Sequence, residues 1–392
     1  MNALDVVLVL CALVYALTGY HQGFLIGSCA TAGLMAGGFA GIQVAPWVLG
    51  GFADSLTVSV TAMGVVLVLA FIGQGLGALV GQLLRRKVVW RSARAVDSLS
   101  GAALSVAAML VIAWVLGVAA SGARIDGINE EVRQSAVLRA VDEAMPGGTD
   151  RLLSAFSAVV GSSDFPRYLE PFRQERITAV RAPNQQVIVV PGVEHAARSV
   201  VKILGDAPSC SKTMEGSGFV YAPHRVMTNA HVVAGVERLV VRLDDTDHAA
   251  TVVYYDPDID VAVLAVPDLA APSLRFADEA RSGAPAAVLG YPQDGPFDAE
   301  PGRIRSVERL RSPNIYGDET VVREAYAVYA LVREGNSGGP LVTPGGRVLG
   351  VVFAASVVDD NTGYALSVTE VQAAAAAGAH ATRLVSTQDC TP

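Results

Sequence analysis

Hydrophobic positions divide the chain of 392 residues into stretches of different character. Over residues 1–84 apolar side chains run almost without a break, with no Lys or Arg and only Asp5 and Asp54 as acids. A helix of roughly 20 apolar residues crosses a bilayer. Four stretches are read as spans of about that size: 4–20, 24–44, 56–84 with ragged ends, and 99–120. A signal peptide fits poorly, because no basic segment precedes the first stretch and one leader cannot account for four. Gly33, Gly37 and Gly41 recur every four residues, as do Gly73, Gly77 and Gly81. That spacing lets helix backbones approach closely in lipid, so the expected structure is a close-packed bundle. A transport path would want charged groups inside the spans, and Asp5, Cys11, His21 and Cys29 do not compose one.

From residue 121 to about 205 the pattern turns polar and mixed. Ile128, Val132, Leu138 and Val141 predict a surface helix with an apolar stripe, stopped by Pro146-Gly147-Gly148. A second helix is expected over 150–160, with Pro166, Pro171 and Pro183 interrupting afterwards. A strand candidate covers 184–191, and a further helical turn or two covers 196–204. The region reads as a juxtamembrane linker, in part a candidate for cleavage by the chain itself. From 214 to 384 short apolar runs alternate with Gly and Pro turns: 218–221, 226–228, 239–243, 251–255, 261–266, 286–289, 303–310, 320–331, 341–342, 348–353 and 364–366. Many short strands of this kind make a sandwich or barrel. A closing helix is expected over 367–377, where the Ala373–Ala377 run has high helix propensity.

Composition agrees with a membrane protein: 52% of residues are hydrophobic and 17% charged. Arg85, Arg86, Lys87, Arg91 and Arg94 lie between the third and fourth spans, whereas the loop between the second and third has no Lys or Arg. The positive-inside rule puts the basic loop in the cytoplasm. Four spans then place both termini, and everything after residue 120, outside it. As a nucleic-acid patch the cluster is too short and sits between two spans, so no nucleic-acid partner is expected.

Candidate chemistry centres on Gly335-Asn336-Ser337-Gly338-Gly339-Pro340. A serine in a tight Gly-rich turn is a candidate nucleophile, and the N–H groups of Gly335 and Ser337 are candidate oxyanion donors. A serine hydroxyl needs a base and an orienting acid. Thr228-Asn229-Ala230-His231-Val232-Val233 offers His231. Asp258-Ile259-Asp260-Val261 offers Asp260, with Asp258 as its rival. The spacings are 29 residues (260 − 231) and 77 residues (337 − 260). Taken singly, such residues are turn formers or caps; their order gives them meaning. No other histidine has metal-ligand spacing, so no metal or cofactor is expected.

These three motifs, in the order His, Asp, Ser, resemble the trypsin-like serine proteases, and most of all their HtrA-type bacterial branch. The resemblance implies a double six-stranded β-barrel, with His231 and Asp260 from the first barrel and Ser337 from the second. It implies a pocket floored six positions before the serine, at Leu331 between Ala330 and Val332, with Phe353 and Ala354 in a wall of the cleft. No acid stands at the floor, so a neutral, apolar side chain is expected before the cut. Digestive members order the oxyanion turn through an aspartate before the serine, paired to a freshly cut N-terminus. Here that position is Asn336, so the turn must be ordered by substrate, by the linker or by a disulfide. No PDZ-like domain is expected after the protease, because the sequence stops eight residues past Leu384.

Cys210 and Cys390 flank the protease segment. Outside the cytoplasm they are expected to form a disulfide, closing a loop of about 180 residues, worth up to roughly 5 kcal/mol in the chain-entropy model. Cys11 and Cys29 read as small apolar residues. The four spans, with Leu4-Asp5 near the start and Asp97-Ser98-Leu99-Ser100-Gly101-Ala102 opening the last, resemble the CvpA (colicin V production) membrane family. The whole arrangement resembles the MarP-type membrane serine proteases of actinobacteria. That resemblance implies a bacterial inner-membrane protein with an extracytoplasmic protease, protein substrates in the cell envelope and a role in acid survival. Acid poses a problem for a general base with an ordinary pKa of about 6.5. The expected organisation is 1–120 membrane domain, 121–200 linker and 201–392 protease domain, the last a monomer. Two other readings stay open: a protease fold without turnover acting as a sensor, and a scaffold or secretion component whose working part is the membrane bundle.

Overall fold

The computed structural model describes the chain apart from residues 1, 50–55, 88–89, 123–127, 146–171, 173–174, 211 and 392. It divides into two units, residues 1–116 with 135–143, and residues 117–134 with 144–392. The first holds α1 (Ala3–Gln22), α2 (Phe24–Leu49), α3 (Leu56–Arg86) and most of α4 (Arg91–Gly122). All four are long and apolar enough to cross a membrane. Their outward side chains are those a bilayer accepts, among them Leu10, Leu13, Leu17, Phe39, Phe71, Leu76 and Leu116. Helices α2 and α3 cross at the glycine repeats: a Cβ at Gly33 would lie 2.1 Å from the Gly73 carbonyl oxygen, and one at Gly77 would lie 2.1 Å from that of Cys29. Any larger residue forces the two backbones apart.

Polar groups in this unit sit at helix ends. Asp97 accepts from Leu25 N–H (2.9 Å) at the start of α2 and pairs with Arg85 Nε (2.9 Å). The same guanidinium donates to His21 O and Gln22 O at the end of α1. The ion pair thus clasps the α1–α2 corner. After α5 (Ile128–Gln134) comes α6 (Ala136–Ala144). The fully buried carboxylate of Asp5 caps α6 from 130 residues away, accepting from Ser135 Oγ (2.6 Å), Ala136 N (3.2 Å) and Val137 N (3.1 Å). Satisfying these otherwise orphaned amides is what an N-cap residue does. Trp114 Nε1 donates to Asp142 (2.8 Å) further along α6. The stripe expected as one helix is therefore two, broken at Ser135. The expected helix over 150–160, with Pro166 and Pro171, lies outside the described residues.

In the second unit, which also holds the end of α4 and α5, an extended segment over 175–184 leads to a 3-10 turn over Gln185–Val189 and α7 (Pro191–Ala197). The turn replaces the strand expected over 184–191: Asn184 Oδ1 accepts from Gln186 N–H (3.0 Å), closing the chain on itself locally. The helical turn expected to reach residue 204 ends at Ala197, because β1 (Val200–Ala207) pairs with two neighbours. Among the described residues thirteen strands follow the order β1, β2 (Lys212–Ala222), β3 (Arg225–Thr228), β4 (Arg238–Leu243), β5 (Thr246–Ala249), β6 (Thr251–Asp256), β7 (Val261–Ala265), β8 (Pro285–Gly290), β9 (Asp298–Pro313), β10 (Thr320–Tyr329), β11 (Pro340–Val342), β12 (Val348–Ala355) and β13 (Thr362–Ser367). The first seven form one antiparallel sheet, β5-β4-β1-β2-β3-β7-β6, and the last six close a barrel, β10-β13-β12-β11-β8-β9. The barrel has the six strands expected. The first sheet has seven, because the short, mostly exposed β5 forms a hairpin with β4.

Each sheet encloses its own apolar cluster, the first around Ile203, Val241 and Leu264, the barrel's around Ile304, Tyr326 and Leu341. A third cluster joins the sheets: Phe219, Met227 and Val263 meet Leu289, Phe353 and Tyr364, with Val371 and Ala374 of α8 (Val368–Ala379). Ser367 caps α8, accepting from Glu370 N–H (3.2 Å).

Candidate active site

His231 lies in the turn after β3, and Asp260 stands one residue before β7 with φ +63°. Because β3 pairs with β7, the ladder Thr228↔Ala262 brings the two motifs side by side. Asp256 Oδ1 accepts from Asp258 N (3.0 Å) and Ile259 N (3.1 Å), which folds the turn before Asp260. The Asp260 carboxylate takes His231 Nδ1 at 2.8 Å (Oδ2) and 3.0 Å (Oδ1), and Oδ1 also accepts the His231 backbone N–H at 3.0 Å. Ring orientation and backbone are thus held by one buried carboxylate. With the proton on Nδ1, an assignment that follows from the bond to a carboxylate, Nε2 is a base. Asn229 Nδ2 donates to Asp260 O (2.8 Å). The rival Asp258 instead accepts from Asn314 Nδ2 (3.1 Å).

Under this pair lies Arg323 of β10, 1% exposed. Its Nε donates to Asp258 O (2.6 Å) and its Nη2 to Pro313 O (3.0 Å). Burial pulls the guanidinium below its ordinary pKa, while Asp260 and Asp258 pull it back up. A barrel cation therefore steadies the loop that carries Asp260.

Ser337 sits between β10 and β11, 4% exposed. Gly335 has φ +86° and Gly338 φ +83°, conformations that L side chains rarely adopt. Space is equally restrictive: a Cβ at Gly338 would lie 2.2 Å from Thr228 Oγ1 and 3.1 Å from Asn229 N. The serine turn therefore touches the histidine motif. Among the described residues, Ser337 Oγ, His231 Nε2 and the N–H groups of Gly335 and Ser337 have no hydrogen-bond partner. A hydroxyl, a base and two amides left unsatisfied in a nearly buried site are the parts of an acyl-transfer centre; base and nucleophile often close up only on substrate.

The profile of the trypsin-like peptidase domain matches residues 216–351, and that of the colicin V production protein matches residues 4–146. The serine protease Rv3671c of Mycobacterium tuberculosis (strain H37Rv) is 39% identical over 390 residues, 99% of this chain and 98% of its own length. The chain belongs to the MarP-type trypsin-like serine proteases. A crystal structure of the Rv3671c protease, active form, superposes with a TM-score of 0.55 at 48% identity, covering 57% of this chain and 99% of that one. The Do-like protease HtrA of Lactococcus lactis is 34% identical over 147 residues, covering 35% of this chain and 36% of its own. The chain is thus a serine protease and a multi-pass membrane protein.

For this family member, the expected pocket residues separate in the structure. Leu331 is 39% exposed, whereas Ala330 and Val332 are buried, Val332 against the Cα of Gly363. Phe353, expected in the cleft wall, has its ring in the core with Arg323 at 6.0 Å from its centroid. Ala354 is fully buried. What β12 offers the serine turn is backbone: Val352 O accepts from Gly338 N–H (2.8 Å) and Val352 N–H donates to Gly339 O (2.9 Å).

Cys210 and Cys390 form a disulfide with Cα atoms 6.5 Å apart. The tail it holds lies against the histidine turn, where Gly235 N–H donates to Thr387 O (3.2 Å). The one proton of Tyr316 OH is shared between Thr387 O (3.2 Å) and Asp389 O (3.1 Å), and its oxygen lies 2.6 Å from Tyr255 OH, whose pKa burial pushes up.

Proposed function

We propose that this protease is an extracytoplasmic endopeptidase of the cell envelope in which Ser337, His231 and Asp260 cleave peptide bonds through an acyl-enzyme. The observation that supports it most is the unpartnered set of Ser337 Oγ, His231 Nε2 and the Gly335 and Ser337 amides around one turn. Ser337 Oγ attacks the peptide carbonyl carbon, its proton passing to His231 Nε2. The carbonyl oxygen, now an oxyanion, accepts from Gly335 and Ser337 N–H; one such donor is typically worth about 3 kcal/mol in the transition state. The C–N bond breaks as His231 returns the proton to the leaving amine. Water, deprotonated by the same base, releases the acid. Asp260 fixes the tautomer and stabilises the imidazolium.

The placement outside the cytoplasm is supported by the basic residues at the α3–α4 corner, opposite in the chain to a loop without Lys or Arg. The absence of an acid at Leu331, the position expected to floor the pocket, favours neutral, apolar residues before the cut. Self-cleavage in the linker is supported by residues 175–184, which have neither helix nor strand and are largely exposed, the form of chain a protease cleft accepts. A task in acid survival rests on the MarP-type resemblance alone. Cut sites mapped by mass spectrometry on an unfolded protein, with full-length chain beside Ser337→Ala, test the activity. Cuts after neutral residues in the wild type alone are expected; cuts after Lys or Arg would overturn the pocket assignment. An N-terminus generated in residues 146–184 only by the wild type is expected for self-cleavage, and full-length chain alone would refute it.

A further inference from the structure

The oxyanion turn of this chain lacks the charged clamp of digestive proteases, since Asn336 precedes the serine and its Oδ1 accepts from Arg333 N–H (2.9 Å) within the same turn. We propose that the hydroxyl of Ser217 is the residue that positions the oxyanion hole. The inference rests on the reading of Ser337 as nucleophile.

Ser217 is fully buried in β2, and each of its polar groups is committed to the site. Its N–H donates to Ser337 O (2.8 Å), and its carbonyl accepts from Thr228 Oγ1 (2.8 Å) in the histidine motif. Its Oγ donates to Gly335 O (2.6 Å) and accepts from Tyr291 N–H (2.8 Å).

The direction of the Gly335 N–H depends on the peptide planes on either side of that residue. In the Glu334–Gly335 peptide, Glu334 O accepts from Gln293 N–H (2.7 Å). A trans peptide points its C=O and N–H in opposite directions, so the Gly335 N–H faces away from Gln293. The Gly335–Asn336 peptide is held by Ser217 Oγ at its oxygen and by Arg333 O (3.0 Å) at its nitrogen. The hydroxyl also fastens Tyr291, two residues from Gln293, so both planes trace back to it. One proton and one lone pair of the same hydroxyl serve both loops at once. Without the hydroxyl, Gly335 O and Tyr291 N–H are left unpaired in a buried place. The Gly335 peptides then rotate to recover partners, and the oxyanion loses its aligned donor.

The test compares full-length wild type, Ser217→Ala and Ser217→Cys in detergent. Turnover of a peptide substrate, and binding of a peptide aldehyde that forms a tetrahedral adduct with the serine, are measured. Affinity for the intact peptide is measured in Ser337→Ala and in Ser217→Ala/Ser337→Ala. Ser217→Ala is expected to lower kcat roughly 10- to 100-fold, less than the about 100- to 1,000-fold typical of deleting a donor. Aldehyde affinity is expected to fall in parallel, with intact-peptide affinity unchanged. Ser217→Cys, a weaker donor, is expected to fall between. The inference is overturned by kcat and aldehyde affinity at wild-type level in Ser217→Ala. If Ser217→Ala does not fold, the same result in Ser217→Cys overturns it. It is equally overturned if intact-peptide affinity drops as far as kcat, which would make Ser217 scaffolding. A wild type that neither turns over nor binds the aldehyde overturns the reading of Ser337 as well.

Discussion

The two units use the same residue types to opposite ends. Both contain buried carboxylates, and both contain glycines where backbones nearly touch. In the membrane unit the acids end in saturated arrangements: Asp5 accepts three donors around Ser135–Val137, and Asp97 caps α2 while paired to Arg85. Its glycines open onto another helix backbone. In the protease unit Asp260 is equally saturated, but the groups it serves are not, and the serine turn leaves Ser337 Oγ and two amides free. Buried polarity therefore distinguishes architecture from chemistry only when one asks which atoms are left over.

Perturbing each side sharpens this contrast. Asp260→Asn keeps the size of the side chain but gives His231 the wrong tautomer, so kcat is expected to fall about 10,000-fold with the fold retained, as read by turnover beside circular dichroism. Arg323→Ala leaves Asp258 O and Pro313 O without their donor and Asp260 without its buried counter-charge. A loss of about 3 kcal/mol in denaturant unfolding is expected; unchanged stability would detach β10 from the Asp260 loop. Gly77→Val drives a side chain into the Cys29 carbonyl, with an expected loss of roughly 2 kcal/mol in bundle stability in mixed micelles. Asp5→Ala removes the cap of α6, with an expected cost of about 1 kcal/mol and faster amide exchange over residues 136–138. An unaltered exchange rate there would show that Asp5 does not hold α6.

Long-period signals were legible in the chain. The four spans and the strand-rich half follow from runs of residues whose periodicity local physics reads directly, and the order His231, Asp260, Ser337 from three short motifs and the family they resemble. The α2–α3 contacts follow from glycines four apart. Asp260 was preferred to Asp258 because it directly precedes the apolar run, and the β3–β7 register is what sets it beside His231. Residues 184–191 look like a strand by composition, yet Asn184 captures its own backbone. Ser217 and Arg323 escaped notice because each stands in a strand beside another polar residue, Glu215-Gly216-Ser217-Gly218-Phe219 and Val321-Val322-Arg323-Glu324-Ala325, with nothing local to mark it as the one turned to the interior. Their partners lie 118 and 65 residues away. The signal was there in principle, since a serine or arginine facing a core demands partners. Phe353 was placed in the cleft wall by the family resemblance, whereas its ring packs into the core beside Arg323 at the irregularity of the β12–β13 ladder.

The central claim is that Ser337 is an activated nucleophile in the folded chain. Full-length protein labelled with a fluorophosphonate, then mapped by peptide mass spectrometry, tests it most directly. One adduct per chain on Ser337 is predicted, absent from a Ser337→Ala variant of equal melting temperature and strongly slowed in Asp260→Asn. A folded wild type without the adduct, or an adduct that persists in Ser337→Ala, would contradict the account.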